Sequence, residues 1–193
     1  MSIHRTPRRR RAAVIHAALL TLALVAAAFL LPVQPACAAP EDLEEIHRLE
    51  LQGQKVDAFL KLKELAPTGD PEAQYKLAGY YHYGDAGPAN YKLALEWYER
   101  AARQGHTDAM LGIAVLLDPA NARITSIPDD RGRAFTWLTI AATLMTKKSD
   151  LAIVEGLRDK LKGELSSAEL NAALAEAMAF QPALEQPMLA QPQ

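Results

Sequence analysis

Cysteine, histidine and serine are scarce in this chain, and each shortage closes off a class of chemistry. The 193 residues include one cysteine, Cys37, near the end of an N-terminal stretch that reads as a leader. Once that leader is removed, the remainder has no disulfide, thiol nucleophile or thiolate metal site. Beyond residue 38 only His47, His82 and His106 remain, 35 and 24 residues apart, with no HExxH or comparable ligand spacing. Serine occurs four times in the same region, at Ser126, Ser149, Ser166 and Ser167, never in a GxSxG elbow. Gly84 and Gly87 lie close together, but no Lys-Ser/Thr follows and no strand precedes them, so they make no phosphate loop. Glu96 and Glu99 flank Trp97 and read as solvated charges on an exposed helix side. No catalytic residue, metal or cofactor is expected.

Basic charge is also missing where nucleic acid would need it. Five of the 21 basic residues (Arg5, Arg8, Arg9, Arg10, Arg11) fall within 1–38, which holds no acid. Residues 39–193 keep 16 basic against 23 acidic groups, net −7, without a basic stripe or a nucleic-acid motif. The arginines are followed by 20 residues, Ala12 to Leu31, broken only by His16 and Thr21, and then by Pro32, Pro35 and Ala36-Cys37-Ala38-Ala39. A charged start, an apolar middle and an A-x-A site make a secretory signal peptide over 1–38, with cleavage expected after Ala38. Two alternatives stay open. The apolar run is long enough to cross roughly 30 Å of hydrocarbon as an uncleaved anchor, and Cys37 could carry a lipid, although Gln34-Pro35-Ala36 is a poor lipobox. All three readings put the working domain outside the cytoplasm, periplasmic or secreted after cleavage, or anchored in the inner membrane and facing the periplasm.

What the rest of the chain has in abundance is self-similarity. Ala94 to Ala102 superimposes on Ala134 to Ala142 at an offset of 40, with alanines and tryptophans coinciding, and on Ala58 to Ala66 at an offset of 36. A period of this length is the signature of a repeat architecture. Ala94, Trp97, Ala101 and Ala102 share one helix face, where small residues let axes approach and the indole fills the gap between layers. Ala73, Leu77, Tyr80 and Tyr81 form the matching stripe of the other helix, and Ala109, Ile113, Leu116 and Leu117 repeat it. Gly84 to Pro88 breaks one helix and Asn90 caps the next; Asp130 is the equivalent cap one copy later. Gly69 and Gly105 close helices.

These residues resemble the Sel1-like repeat, a relative of the tetratricopeptide solenoids whose motif runs approximately A-x-Y-x-L-G-x-x-Y-x-x-G-x-G-V-P, then K-A-x-x-W-x-x-K-A-A and x-x-G. Ala73, Tyr75, Leu77, Tyr81, Gly84, Pro88, Ala94, Trp97, Ala101, Ala102 and Gly105 fall on it in order. The next copy keeps Ala109, Leu111, Ile113, Leu117, Pro128, Asp130, Ala134, Trp137, Ala141 and Ala142, but has Asp118-Pro119-Ala120 where a tyrosine-to-glycine turn is usual. The resemblance implies an all-α fold, a short right-handed solenoid of antiparallel helix pairs. Its repeat cores are placed at about 56–70, 71–106 and 107–146 within a domain over 39–180, capped by 149–180 and followed by a disordered tail over 181–193. Ser166-Ser167-Ala168-Glu169 offers a capping box before a last helix whose apolar face is read as Leu170, Leu174 and Met178.

The resemblance also implies an adaptor: a non-catalytic module that binds another extracytoplasmic protein or peptide in the groove of stacked helix pairs, with a membrane met only through the N-terminal segment if that segment stays uncleaved. Tyr80, His82 and Tyr83 are the candidate binding residues, because the four successive residues Tyr80-Tyr81-His82-Tyr83, at 100° per residue, cannot all face a stack and exposed tyrosines anchor partners. The second reading is an accessory or regulatory subunit of an envelope enzyme, with glycan stacking on the same aromatics.

Overall fold

The computed structural model describes residues 40–121 and 125–182. The leader expected over 1–38, Cys37 included, and the tail beyond Pro182 lie outside the described residues, as do 122–124 of the second loop. Among the described residues the chain forms eight α-helices and no strand: α1 (Pro40–Leu51), α2 (Lys55–Leu65), α3 (Pro71–Tyr83), α4 (Tyr91–Arg103), α5 (Thr107–Leu117), α6 (Arg131–Leu144), α7 (Lys148–Glu164) and α8 (Ser167–Ala179). Each helix packs on the next in sequence up to α7, and α8 returns to pack on α6. This is an all-α solenoid.

The helices begin where the local chemistry tells them to. Asp70 accepts from the Ala73 N–H at 2.8 Å, Asn90 from Leu93 at 3.1 Å, and Asp130 from Arg133 at 2.9 Å. Each such bond satisfies a donor the first helical turn leaves without a partner. His106 does the same at α5, its Nδ1 accepting from Ala109 at 3.2 Å. The two interhelical loops close alike despite their different lengths: the Asn90 N–H donates to the Tyr81 carbonyl at 2.8 Å, and the Asp130 N–H to the Leu117 carbonyl at 3.3 Å. Gly84 leaves α3 with φ +71°, and a Cβ there would sit 2.9 Å from the Gly87 carbonyl oxygen, so only glycine makes this turn.

Packing follows the small-residue stripes. Ala73, Ala94, Ala101, Ala102, Ala109, Ala134 and Ala141 are fully buried, with Leu77, Ile113, Leu116 and Leu117 between them; Ala142 is half-buried. The buried residues fall into two clusters. A smaller one joins α1, α2 and α3 through Ile46, Leu49, Ala58, Leu62, Leu77 and Tyr80. A larger one runs from α3 to α8 around Tyr98, Met110, Ile113, Phe135, Leu138, Val154 and Leu161. Tyr81 and Trp97 border both. Trp97 is half-buried rather than enclosed, its outer face covered by the Arg100 guanidinium 4.4 Å from the ring centroid. Trp137 is 9% exposed and meets Phe180 edge-on at 5.7 Å.

One expected face is corrected. The last helix, α8, has the capping box on Ser166 and Glu169, but it docks through Ala173, with Leu170 and Ala177 beside it, while Leu174 is 37% and Met178 87% exposed. The alanine lets the α8 backbone close on α6, where the Thr136 hydroxyl lies 3.3 Å from the Ala173 carbonyl. Larger side chains at the seam would hold the helices apart.

Candidate binding groove

One stripe of α3 and one of α5 make a surface. On α3 the residues Glu72, Tyr75, Gly79 and Tyr83 follow one another at helical spacing; on α5 the stripe is Asp108, Leu111, Gly112 and Val115. Tyr98, projecting from α4, fills the space between the two helices. Its hydroxyl is the nearest atom to a Cβ built at Gly79, at 4.0 Å, and its ring lies 2.9 Å from a Cβ built at Gly112. The missing side chains of the two glycines thus make room for a buried tyrosine, flanked on the α3 side by Tyr75 and Tyr83.

The two ends of this trough differ. At one end Tyr75 stacks on His106 with centroids 4.5 Å apart, and His106 Nε2 donates to Glu72 at 3.0 Å while its Nδ1 caps α5. With Nδ1 accepting from the backbone, it is Nε2 that carries the hydrogen toward Glu72. That bond holds the Glu72 carboxyl below the usual range, against the opposing effect of burial. Burial, and after it the negative charge of Asp108, pushes the Tyr75 phenol upward. At the other end, His82 stacks flat on Tyr83 at 4.5 Å, meets Tyr91 edge-on at 6.0 Å and places Nδ1 3.3 Å from the Tyr98 hydroxyl. Burial lowers the pKa of His82 and raises that of Tyr98. Val115, 37% exposed, Leu116, Asn121 and Thr125 line a cleft of about 260 Å³ with the rings of His82, Tyr83 and Tyr91.

The three residues expected together at one end are divided. Tyr83 is 72% exposed and His82 half-buried beneath it, but Tyr80 turns away and is 8% exposed. Its ring packs 5.9 Å from that of Phe59 in the α1–α3 cluster. Burial and the Glu50 carboxylate push its phenol up to about 12. Tyr80 is therefore core: seven residues past Ala73 and three past Leu77, it continues their inward stripe. Tyr81 packs edge-on against Phe59 at 5.4 Å. Residues the sequence reading did not single out, Tyr98, Gly112 and Gly79, shape the groove. The available signal was two glycines in helix interiors, where they cost stability unless something approaches closely.

Among the described residues no group of three His, Cys, Asp or Glu side chains is placed to hold a metal ion, and no helix is long and apolar enough to cross a membrane.

The Sel1 repeat model of protein families matches residues 71–106 and 125–144. The second match begins beyond Asp118-Pro119-Ala120, where the sequence departs from the repeat pattern. No curated protein matches the chain significantly. Sel1 repeats generally mediate protein–protein interaction and are typically non-catalytic. Two matched segments, stacked helix pairs and alanine seams between them show that the chain carries Sel1 repeats over 71–106 and 125–144.

Proposed function

We propose that the protein is an adaptor of the cell envelope, exported by its N-terminal segment, and that it holds another extracytoplasmic protein in the trough between α3 and α5. The observation that carries this reading is Tyr83, a large aromatic side chain 72% exposed beside a cleft on a scaffold otherwise packed through alanines. An aromatic held by stacking on His82 loses little freedom when a partner covers it, which favours binding.

The test is photo-crosslinking in the envelope of the source cell, with the crosslinking amino acid in place of Tyr83 or, as control, of the exposed Lys92 on α4. A discrete protein adduct at position 83 and none at 92 is the expected outcome. Equal labelling at both, or none above background at 83, overturns the groove.

The stacked Tyr83–His82 pair also favours a second reading, an accessory subunit with a glycan on that ring. A saccharide that quenches aromatic emission at millimolar concentration, with the effect lost in Tyr83→Ala, supports it over the protein-binding reading.

A further inference from the structure

We infer that the trough takes an extended, positively charged segment of its partner, with a lysine or arginine at the Glu72–Asp108 end and an apolar side chain at the Tyr83–Val115 end. This rests on the groove reading and adds the chemistry of the occupant.

Four observations support it. The stripe residues of the trough carry two carboxylates, Glu72 and Asp108, and no cation; the flanking Lys76 is held by Glu50 at 3.0 Å. Both carboxylates act on the Tyr75 phenol, whose ring is stacked on His106 at 4.5 Å, so a cation at this end meets negative charge. Gly79 leaves room on the α3 side, where a Cβ would have no atom nearer than the Tyr98 hydroxyl at 4.0 Å, so a partner's backbone can approach there; at Gly112 the Tyr98 ring itself takes the space. The opposite end carries the apolar surface, with Tyr83, His82, Tyr91 and Val115 on one part of the cleft and the polar Asn121 and Thr125 on the other. Glu72 and Tyr83 are eleven residues apart on one helix, roughly 16 Å at 1.5 Å per residue. An extended chain at about 3.3 Å per residue covers that span in about five residues. The cation and the apolar side chain of the partner are therefore set about five residues apart.

Two fluorescein-labelled decapeptides test this by fluorescence anisotropy against the chain: one with a lysine and a leucine five residues apart in a Ser/Ala background, the other with glutamate for the lysine. The lysine peptide is expected to bind about tenfold more tightly than its twin, and increasingly weakly as salt is raised. Asp108→Asn should remove most of that preference. Gly79→Leu is the decisive variant: a Cβ at 79 has no atom closer than 4.0 Å and leucine is the better helix former. Its melting temperature should hold or rise while peptide binding falls about tenfold or more.

Equal binding of the two peptides, or of neither up to millimolar concentration, overturns the inference about charge. The groove reading survives that result if the position-83 adduct persists in cells and is lost in Gly79→Leu. Both fall if Gly79→Leu leaves that adduct unchanged. Sedimentation of the chain alone that reveals a dimer abolished by Gly79→Leu would put a second copy in the trough and overturn the assignment.

Discussion

Tyr98 and the two glycines beside it show how single residues set the surface. Gly112 and Gly79 look alike in sequence, each alone in a helix interior, yet their surroundings are opposite. A methyl at 112 would press within 2.9–3.0 Å of three atoms of the Tyr98 ring, whereas one at 79 meets nothing nearer than 4.0 Å. Gly112→Ala is expected to lower stability by about 1–3 kcal/mol through overpacking, and Gly79→Ala to raise it by up to about 1 kcal/mol; urea denaturation of the two variants measures both. His82 gives a pH signature at the same scale. Its folded pKa lies below the ordinary value near 6.5 because burial disfavours the charged ring, so the unfolded chain binds more protons as pH falls through that value. Its contribution is therefore intact above about pH 6.5 and is lost progressively below it. The melting temperature of His82→Phe should fall less between pH 7 and 5 than that of the parent.

The helices repay the same treatment as elements. Their ends were legible in the sequence because side-chain capping is local chemistry: Asn90 and Asp130 sit one copy apart and make the same bond to the third residue on. Replacing each by alanine should cost about 1 kcal/mol, and the double variant close to the sum, since the two caps serve different helices and share no partner. Chemical denaturation of the three variants checks it. The helix faces were harder to read. The alanine stripes of α4 and α6 were visible as repeats, but the repeat drew attention to Trp97, while the next residue, Tyr98, fills the interior; which of two adjacent aromatics is buried depends on the rotation of one helix against two neighbours. The cap of α5 was hidden for a different reason. Histidine is an unusual N-cap, and His106 serves only because Glu72 of the preceding helix pair fixes its tautomer. The Glu72 carboxyl lies below its ordinary value through that bond, so the stability it supplies is present above about pH 4.5 and is lost as pH falls through the lower, folded value. Glu72→Gln should flatten the stability profile on the acid side of pH 4.5, as read from thermal melts.

The whole molecule inherits its mechanics from the division of its core. Neighbouring helices carry nearly all the contacts, so stability is a sum over local interfaces rather than a property of one centre. The two clusters are unequal: eight buried residues hold α1, α2 and the inner face of α3, while twenty hold the stretch from α3 to α8. At the small end Leu51, Val56 and Leu60 are 75%, 57% and 52% exposed, so α1 and α2 bury less apolar surface per ordered residue and have less to offset their conformational entropy. They are expected to open without the rest. In hydrogen exchange under native conditions, amides of α1 and α2 should exchange by a sub-global opening of lower free energy than those of α4, α5 and α6, which should share the global value. Leu62→Ala, which hollows the small cluster, should speed exchange across α1 and α2 while leaving the α5 and α6 amides nearly unchanged. Exchange that accelerates equally over all eight helices would instead show that Tyr81 and Trp97, which border both clusters, bind them into one cooperative unit.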